Sequence, residues 1–169
     1  TNFVPDQNKL TFMDKWLINR VNEFTANADK CYSAQDFGGV SKDFELLVDE
    51  LTNWYIRNNR RRFYKSENNF DTMNAYFCLH YALKNIAMAM FPIVPFISEY
   101  IWQNAVRELD KNAAESVALN GFNVAEFKVE DNGYTIKTDI VREIFTMCSN
   151  DLHQKTFKGQ CNLKINKCG

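Results

Sequence analysis

The sequence predicts an all-α protein: an antiparallel bundle of four to five helices with a small, less regular C-terminal appendage. Apolar residues recur at helical spacing from residue 12 to residue 109. Prolines and capping residues fall between these stripes rather than inside them. A hydrophobic content of 46%, with 14% aromatic residues, supplies a core and argues against a disordered chain. Helices of about four turns joined by short loops pack as antiparallel neighbours.

The first helix is expected over 12–31, FMDKWLINRVNEFTANADKC, with Leu17, Val21, Phe24 and Ala28 forming one apolar stripe. Thr11 is its N-cap, and Asp14 stands three positions on, where a capping box places an acid. QDFGG at 35–39 reads as a turn or helix break. The second helix runs from about Ser41 to about Phe63, with Phe44, Leu47, Val48, Leu51, Trp54 and Tyr55 on one face. Asp71 caps a third, 72–90, whose inward stripe is Tyr76, Leu79, Leu83, Ile86 and Met90. Pro92 ends it, having no amide hydrogen to donate and a ring that clashes with the preceding turn. Pro95 suits the first turn of a fourth helix, 95–109, where a missing N–H costs nothing.

After Asp110 the texture changes, which divides the chain into a bundle, 1–110, and a C-terminal extension, 111–169. ESVALNGF and EFKVEDNGY are short, alternating and strand-like, with Asn-Gly pairs suited to turns. Helical spacing returns over 134–152 in Ile136, Ile140, Ile144 and Met147, and a basic tail follows.

With 20 basic and 21 acidic side chains, the net charge is −1, so an electrostatic partner must meet a local patch. The longest apolar run, IAMAMFPIVPFI at 86–97, is too short for a membrane span and is interrupted by two prolines. The start, TNFVPDQNKL, has neither the basic nor the apolar region of a signal peptide. It also lacks an initiator Met and reads as cut from a longer chain. Five cysteines with no CxxC pair fit reduced thiols in a cytoplasmic protein. A metal site from Cys148, His153, Cys161 and Cys168 would match no usual zinc spacing, so no metal is expected.

The most unusual stretch is LTNWYIRNNRRRF at 51–63, with four arginines and three aromatics in thirteen positions. At about 100° per residue, Leu51, Trp54, Asn58 and Arg61 fall on or beside the core face, and Asn53, Arg57 and Arg60 face solvent. Arg62 comes back towards the apolar side at the helix end. Arginines near a helix C-terminus complement the macrodipole, and they can pair with acids such as Asp49, Glu50 or Glu99. Four in six positions exceed what a dipole requires, since like charges three and four apart repel. An anionic partner offsets that repulsion, because guanidinium forks match phosphate oxygens in pairs and nearby aromatics stack on unstacked bases. The residues therefore point to a helical nucleic-acid-binding module. The alternative is a protein-interaction bundle that keeps its arginines in internal salt bridges.

This stretch resembles the signature of the anticodon-binding helical bundle in isoleucyl-tRNA synthetases. The surrounding residues agree in order. DKW at 14–16, with Leu17 and Arg20, resembles the family's opening D-R/K-W helix. Phe44 to Leu51 followed by TNWYIR resembles its second helix, and Ala75, Leu79 and Leu83 fit the third. FPIVPFISEYIWQ at 91–103 resembles the stretch joining the third helix to the fourth. ESVAL at 115–119 resembles a short S-V-H-L segment, with Ala118 in place of the usual histidine. The resemblance covers residues 10–120, and the NWY-with-NNRRR form is more like the eukaryotic cytosolic and archaeal branch. Valyl and other class I synthetases share only part of it and remain the alternative within this class.

The resemblance implies a parent enzyme that attaches isoleucine to its tRNA with ATP and Mg, in the cytoplasm. It implies that this chain supplies tRNA recognition and no catalytic residue, for the ATP-binding motifs are absent. Catalytic and editing domains would lie upstream in the same polypeptide. It further implies a monomer, an isoleucine-accepting tRNA as partner, and no cofactor on this portion. Carried over residue by residue, the tRNA-binding candidates are Arg57, Arg60 and Arg61, with Asn53 beside them, and then Arg62, Phe63 and Tyr64. Trp54, Tyr55, Trp16 and Trp102 are expected in the core, as is His80; Glu99 is expected to be structural, and Arg20 a solvated charge.

Overall fold

A computed structural model of the chain describes residues 5, 9–64, 70–122, 127, 129, 137–144 and 147. The chain divides into two compact units, Thr1–Asn132 and Gly133–Gly169. No strand occurs among the described residues, and none of their helices is long and apolar enough to cross a membrane. In the second unit, residues 137–144 are helical. Apart from Met147, the rest of the helix expected over 134–152 lies outside the described residues, as does the tail.

The first unit opens with α1, Phe12–Ser33, begun by a complete capping box. The Thr11 hydroxyl accepts from the Asp14 amide, and the Asp14 carboxylate accepts from the Thr11 amide at 3.1 Å. The expected stripe of Leu17, Val21, Phe24 and Ala28 is buried, and Trp16 and Ile18 are buried beside it, where α1 packs against α2 and a later helix. The chain turns at Ala34–Gln35, with Gln35 at a φ of 59°, and Asp36 then caps α2, Phe37–Asp49. This helix starts earlier than the expected Ser41. Gly39 lies within its first turn, donates its amide to Asp36, and leaves room that a Cβ would take from that carboxylate. A π-helical segment, Glu50–Ile56, carries α2 without a break into α3, Arg57–Tyr64.

Next comes α4, Phe70–Met90, which packs chiefly on α1. Its buried face is Ala75, Cys78, Ala82, Ile86 and Ala89, not the bulkier Tyr76, Leu79 and Leu83 that the apolar spacing picked out. Tyr76 is exposed and both leucines are half-buried. Small side chains let two helices approach closely, and the larger residues then flank the seam. Asp71 sits inside the first turn of α4 rather than capping it. Pro95 opens α5, Pro95–Ile101, in the place expected of it, and a π-helical turn, Trp102–Arg107, extends it.

The ESVAL segment, expected to be strand-like, forms a 3-10 turn, Val117–Leu119. Glu99 explains it: its carboxylate accepts from the Ser116 hydroxyl at 2.8 Å and the Val117 amide at 3.1 Å. That grip seats Val117 in a cluster with Met88, Trp102 and Val106, while Trp102 donates to the Ala114 carbonyl at 3.0 Å. Glu99 is structural, as expected, but it braces this turn rather than an arginine. Arg20, expected to be solvated, is instead an inter-helix clamp. It donates to Asp43 at 2.6 Å and to Glu50 at 2.7 Å with 12% of its side chain exposed. His80 is half-buried on α4; burial and then Lys84 push its pKa down, so the ring is neutral at pH 7.

A buried polar centre ties three helices together. Asp14 of α1 is fully buried and meets Arg62 of α3 through two parallel bonds, Nη1 to Oδ1 at 2.9 Å and Nη2 to Oδ2 at 2.8 Å. The Tyr55 hydroxyl donates to the same carboxylate at 2.7 Å. Arg62 also pairs with Asp71 of α4 at 2.6 Å and donates to the Asn59 side-chain oxygen Oδ1 at 2.9 Å. Burial alone would raise the Asp14 pKa; bonds from Arg62, Tyr55 and Thr11 outweigh it and hold the carboxyl below its ordinary 3.8.

Two outcomes are expected from this centre. Asp14→Ala leaves the Arg62 cation in the interior with only the partly exposed Asp71, so unfolding in urea should show a loss of about 3 kcal/mol. The second concerns acid. A depressed folded pKa means that the unfolded chain binds the proton first, so the stabilisation is complete above the ordinary value and fades as pH falls through the folded one. Melting temperature should therefore drop as pH falls below about 4, and Asp14→Asn should flatten that drop.

Candidate nucleic-acid interface

At about 100° per residue, Leu51, Tyr55, Asn59 and Arg62 share one stripe, and these are the positions that turn inward along the π-helical segment and α3. Tyr55 was expected in the core and Arg62 towards the apolar side, while Trp54, Asn58 and Arg61 lie on the other flank of that stripe. Trp54 is half-buried, while Asn58 and Arg61 are exposed. Asn59 is held inward by donating its side-chain amide to the Tyr55 carbonyl at 2.9 Å.

This stripe splits the arginine cluster. Arg62, a candidate for RNA contact on sequence grounds, stands apart from the other three: its guanidinium is engaged by Asp14, Asp71 and Asn59, with 13% of the side chain exposed. Burial works against its charge, but the bonds from Asp14 and Asp71 raise its pKa, so it stays cationic. Arg57, Arg60 and Arg61 are all exposed. Among the described residues, no carboxylate lies within ion-pair distance of any of them.

Tyr64 ends the helix with 76% of its surface exposed, and the Arg60 guanidinium lies over its ring at 5.4 Å from the centroid. This is an i, i+4 cation–π pair, which holds both side chains in one place. Two adjoining open hollows flank it. One is lined by Arg57, Asn58, Arg60, Arg61 and Tyr64. The other adds Thr52, Ile56, Phe63 and, from α4, Leu79. The structure thus gathers four of the seven sequence candidates, Arg57, Arg60, Arg61 and Tyr64, on one surface.

The remaining candidates stand apart. Asn53 is exposed but donates to Asp49 at 2.6 Å, one turn back in its own helix. Phe63 contributes to a hollow, yet its ring is engaged edge-on by Tyr55 and Tyr76, with centroids 6.4 and 5.4 Å away. Asn58, Ile56, Thr52 and Leu79 were not among the candidates. Asn58 was expected on or beside the core face, and Leu79 lies on another helix, so local spacing carried no signal for it. Among the described residues, no group of His, Cys, Asp or Glu could hold a metal; Cys148, His153, Cys161 and Cys168 lie outside them.

Chemically, three unpaired guanidinium groups beside an exposed aromatic ring suit a ligand that is anionic and carries flat apolar faces. Nucleic acid has both. Nothing in the arrangement offers a nucleophile or an acid–base pair.

Comparison with known proteins agrees with this geometry. The family described as the anticodon-binding domain of tRNA ligase matches residues 14–164. An isoleucine–tRNA ligase of Treponema pallidum (strain Nichols) is 35% identical over 153 residues, covering 90% of this chain and 13% of the relative. One from Dehalococcoides mccartyi (strain CBDB1) is 33% identical over 150 residues, 86% of this chain and 15% of the relative. One from Clostridium tetani is 39% identical over 107 residues, 63% of this chain and 10% of the relative. The chain therefore spans only 10–15% of the length of these relatives. The extent of the match, which takes in nearly every element of the bundle, shows that the chain belongs to the anticodon-binding domain family of the tRNA ligases.

Proposed function

We propose that this chain is the tRNA-recognition portion of an isoleucine–tRNA ligase and that the outer face of α3 meets the RNA. The observation that carries the reading is the division of one arginine cluster into two roles. Arg62 is spent on the fold, while Arg57, Arg60 and Arg61 stand exposed and without acidic partners on a single surface. Arg57, Arg60 and Arg61 contact phosphates or base edges, Tyr64 lies beside them, and Asn53 marks the edge of the face. A protein-interaction bundle with internally neutralised arginines fits this distribution poorly.

In this reading the whole polypeptide attaches isoleucine to its tRNA with ATP and Mg held elsewhere in the chain. The bundle adds binding energy remote from the chemistry, which an enzyme can use to orient its substrate and to discriminate. The parent acts as a cytoplasmic monomer, and this portion binds no cofactor of its own.

Filter binding of transcribed isoleucine tRNA to the 169-residue chain at two salt concentrations tests the reading. Three phosphate contacts should make log K fall with log salt at a slope of roughly −2 to −3. Arg57→Ala or Arg60→Ala should each reduce that slope by about 1 and leave the melting temperature unchanged; unfolding in either variant would return that residue to a structural role. A separate comparison bears on anticodon reading. Transcripts differing only in an isoleucine or a valine anticodon should bind unequally, and equal affinity would count against it.

A further inference from the structure

Phe127 is gripped by both of its backbone groups and by its ring. Its carbonyl accepts from the Asn22 side-chain amide of α1 at 3.0 Å, and its N–H donates to the Tyr81 hydroxyl of α4 at 3.4 Å. The ring meets Phe77 and Tyr81 edge-on, with centroids 5.7 and 6.3 Å away. Those two rings, one turn apart on α4, stack on each other at 6.3 Å. The Tyr81 hydroxyl in turn donates to Asn22 Oδ1 at 2.7 Å. This last bond joins α1 to α4 without Phe127, so the bundle builds the seat before anything enters it. Packing of a side chain alone calls for no such match. Pairing main-chain groups while a pocket chooses the side chain is how an extended peptide is held.

We propose that Asn22, Phe77 and Tyr81 form a binding site for an extended peptide residue with an aromatic side chain, filled in cis by Phe127 as a releasable latch. The site is separate from the α3 surface and does not rest on the RNA-binding reading. Upstream, Glu99 holds Ser116 and Val117, and the Phe122 ring meets Tyr32 edge-on at 6.3 Å. Those two grips persist when the latch opens, so release frees the chain around residue 127 and leaves the bundle folded, a local opening below the global one. The boundary between the two compact units falls at Asn132–Gly133, a few residues on, so the latch controls the chain just ahead of it.

Hydrogen exchange and peptide capture test the latch on the full chain. In Phe127→Ala, amides around residue 127 should exchange roughly tenfold faster, the scale of one or two lost aromatic contacts, while those of α1 and α4 keep wild-type rates. A labelled peptide NVAEFKVE, the chain's own residues 123–130, is then titrated by fluorescence anisotropy. It should bind Phe127→Ala roughly tenfold more tightly than the wild type, because apparent affinity falls with the fraction of open seats. Adding Asn22→Asp keeps the acceptor for Tyr81 and removes the donor to the carbonyl. That change should abolish capture, as should alanine in place of the peptide's phenylalanine. Equal binding by wild type and variant, capture that survives Asn22→Asp, or no binding at millimolar peptide overturns the site. Unchanged exchange around residue 127 overturns the latch, and so does faster exchange throughout α1 and α4, which would make Phe127 part of the bundle core. If Phe127→Ala does not fold, Asn22→Asp in the wild-type chain carries the exchange test: it should loosen the chain around residue 127 alone, and unchanged exchange there refutes the latch.

Discussion

The carboxylate of Asp14 has nowhere to go but Arg62. It is buried completely at the start of α1, where water cannot solvate it, and a charge in that position is tolerated only with a partner of matched geometry. The guanidinium supplies two parallel bonds, and the Tyr55 hydroxyl and the Thr11 amide and hydroxyl take further lone pairs. Because Arg62 also reaches Asp71, the same cation fixes where α4 begins relative to α1 and α3. The environment extends to Cys78, whose thiol pKa is pushed up first by burial and then by the nearby Asp14 charge, so it stays a protonated core side chain. Helix ends, which lack the ladder of bonds found mid-helix, are the places where a bundle would otherwise fray.

That constraint sets the rotation of α3 about its axis. With Arg62 and Asn59 turned inward, Arg57, Asn58, Arg60 and Arg61 have only solvent to face. Arg60 and Arg61 stand three and four residues beyond Arg57, so their repulsion is a standing cost of this surface. The fold makes no use of the charge, since no acid of the described chain answers it. Stability and recognition thus draw on neighbouring residues of one sequence cluster, and they remain separable because one guanidinium is locked while the others are not.

Much of this was legible in the sequence. The α1 stripe, the Thr11–Asp14 capping box and the Pro92 and Pro95 breaks follow from local rules, and each stands where those rules place it. What local rules missed has identifiable causes. Constant spacing puts Asn59 and Arg61 equally far from Leu51 on opposite flanks of the stripe, so it could not say that Asn59 turns in and Arg61 out. The buried face of α4 keeps Ile86 and Met90 of the expected stripe but is otherwise rich in alanines with Cys78, which carry less hydrophobic weight than the leucines beside them. ESVAL alternates like a strand, but its conformation is dictated from a distance by Glu99, 17 residues from Ser116. Arg20 looked like a surface charge because its partners, Asp43 and Glu50, stand 23 and 30 residues away. Long-range pairing of this kind leaves no local trace.

The same reasoning explains why an arginine count was a poor guide to the site and a helical phase a better one. Four guanidinium groups in six positions look equivalent as a string, and a charge-density argument would treat them alike. Burial separates them: a group with 13% of its side chain exposed and both terminal nitrogens engaged by Asp14, Asp71 and Asn59 is poorly placed to meet an incoming anion, whereas an exposed group beside an open hollow keeps all five donors. Arg60 stands between these cases, because its stack on Tyr64 occupies the face of the guanidinium and leaves the in-plane N–H groups free. It can therefore hold the ring and still turn its edge to a phosphate, which makes the pair a preorganised unit. Less side-chain entropy then remains to be lost when a ligand arrives.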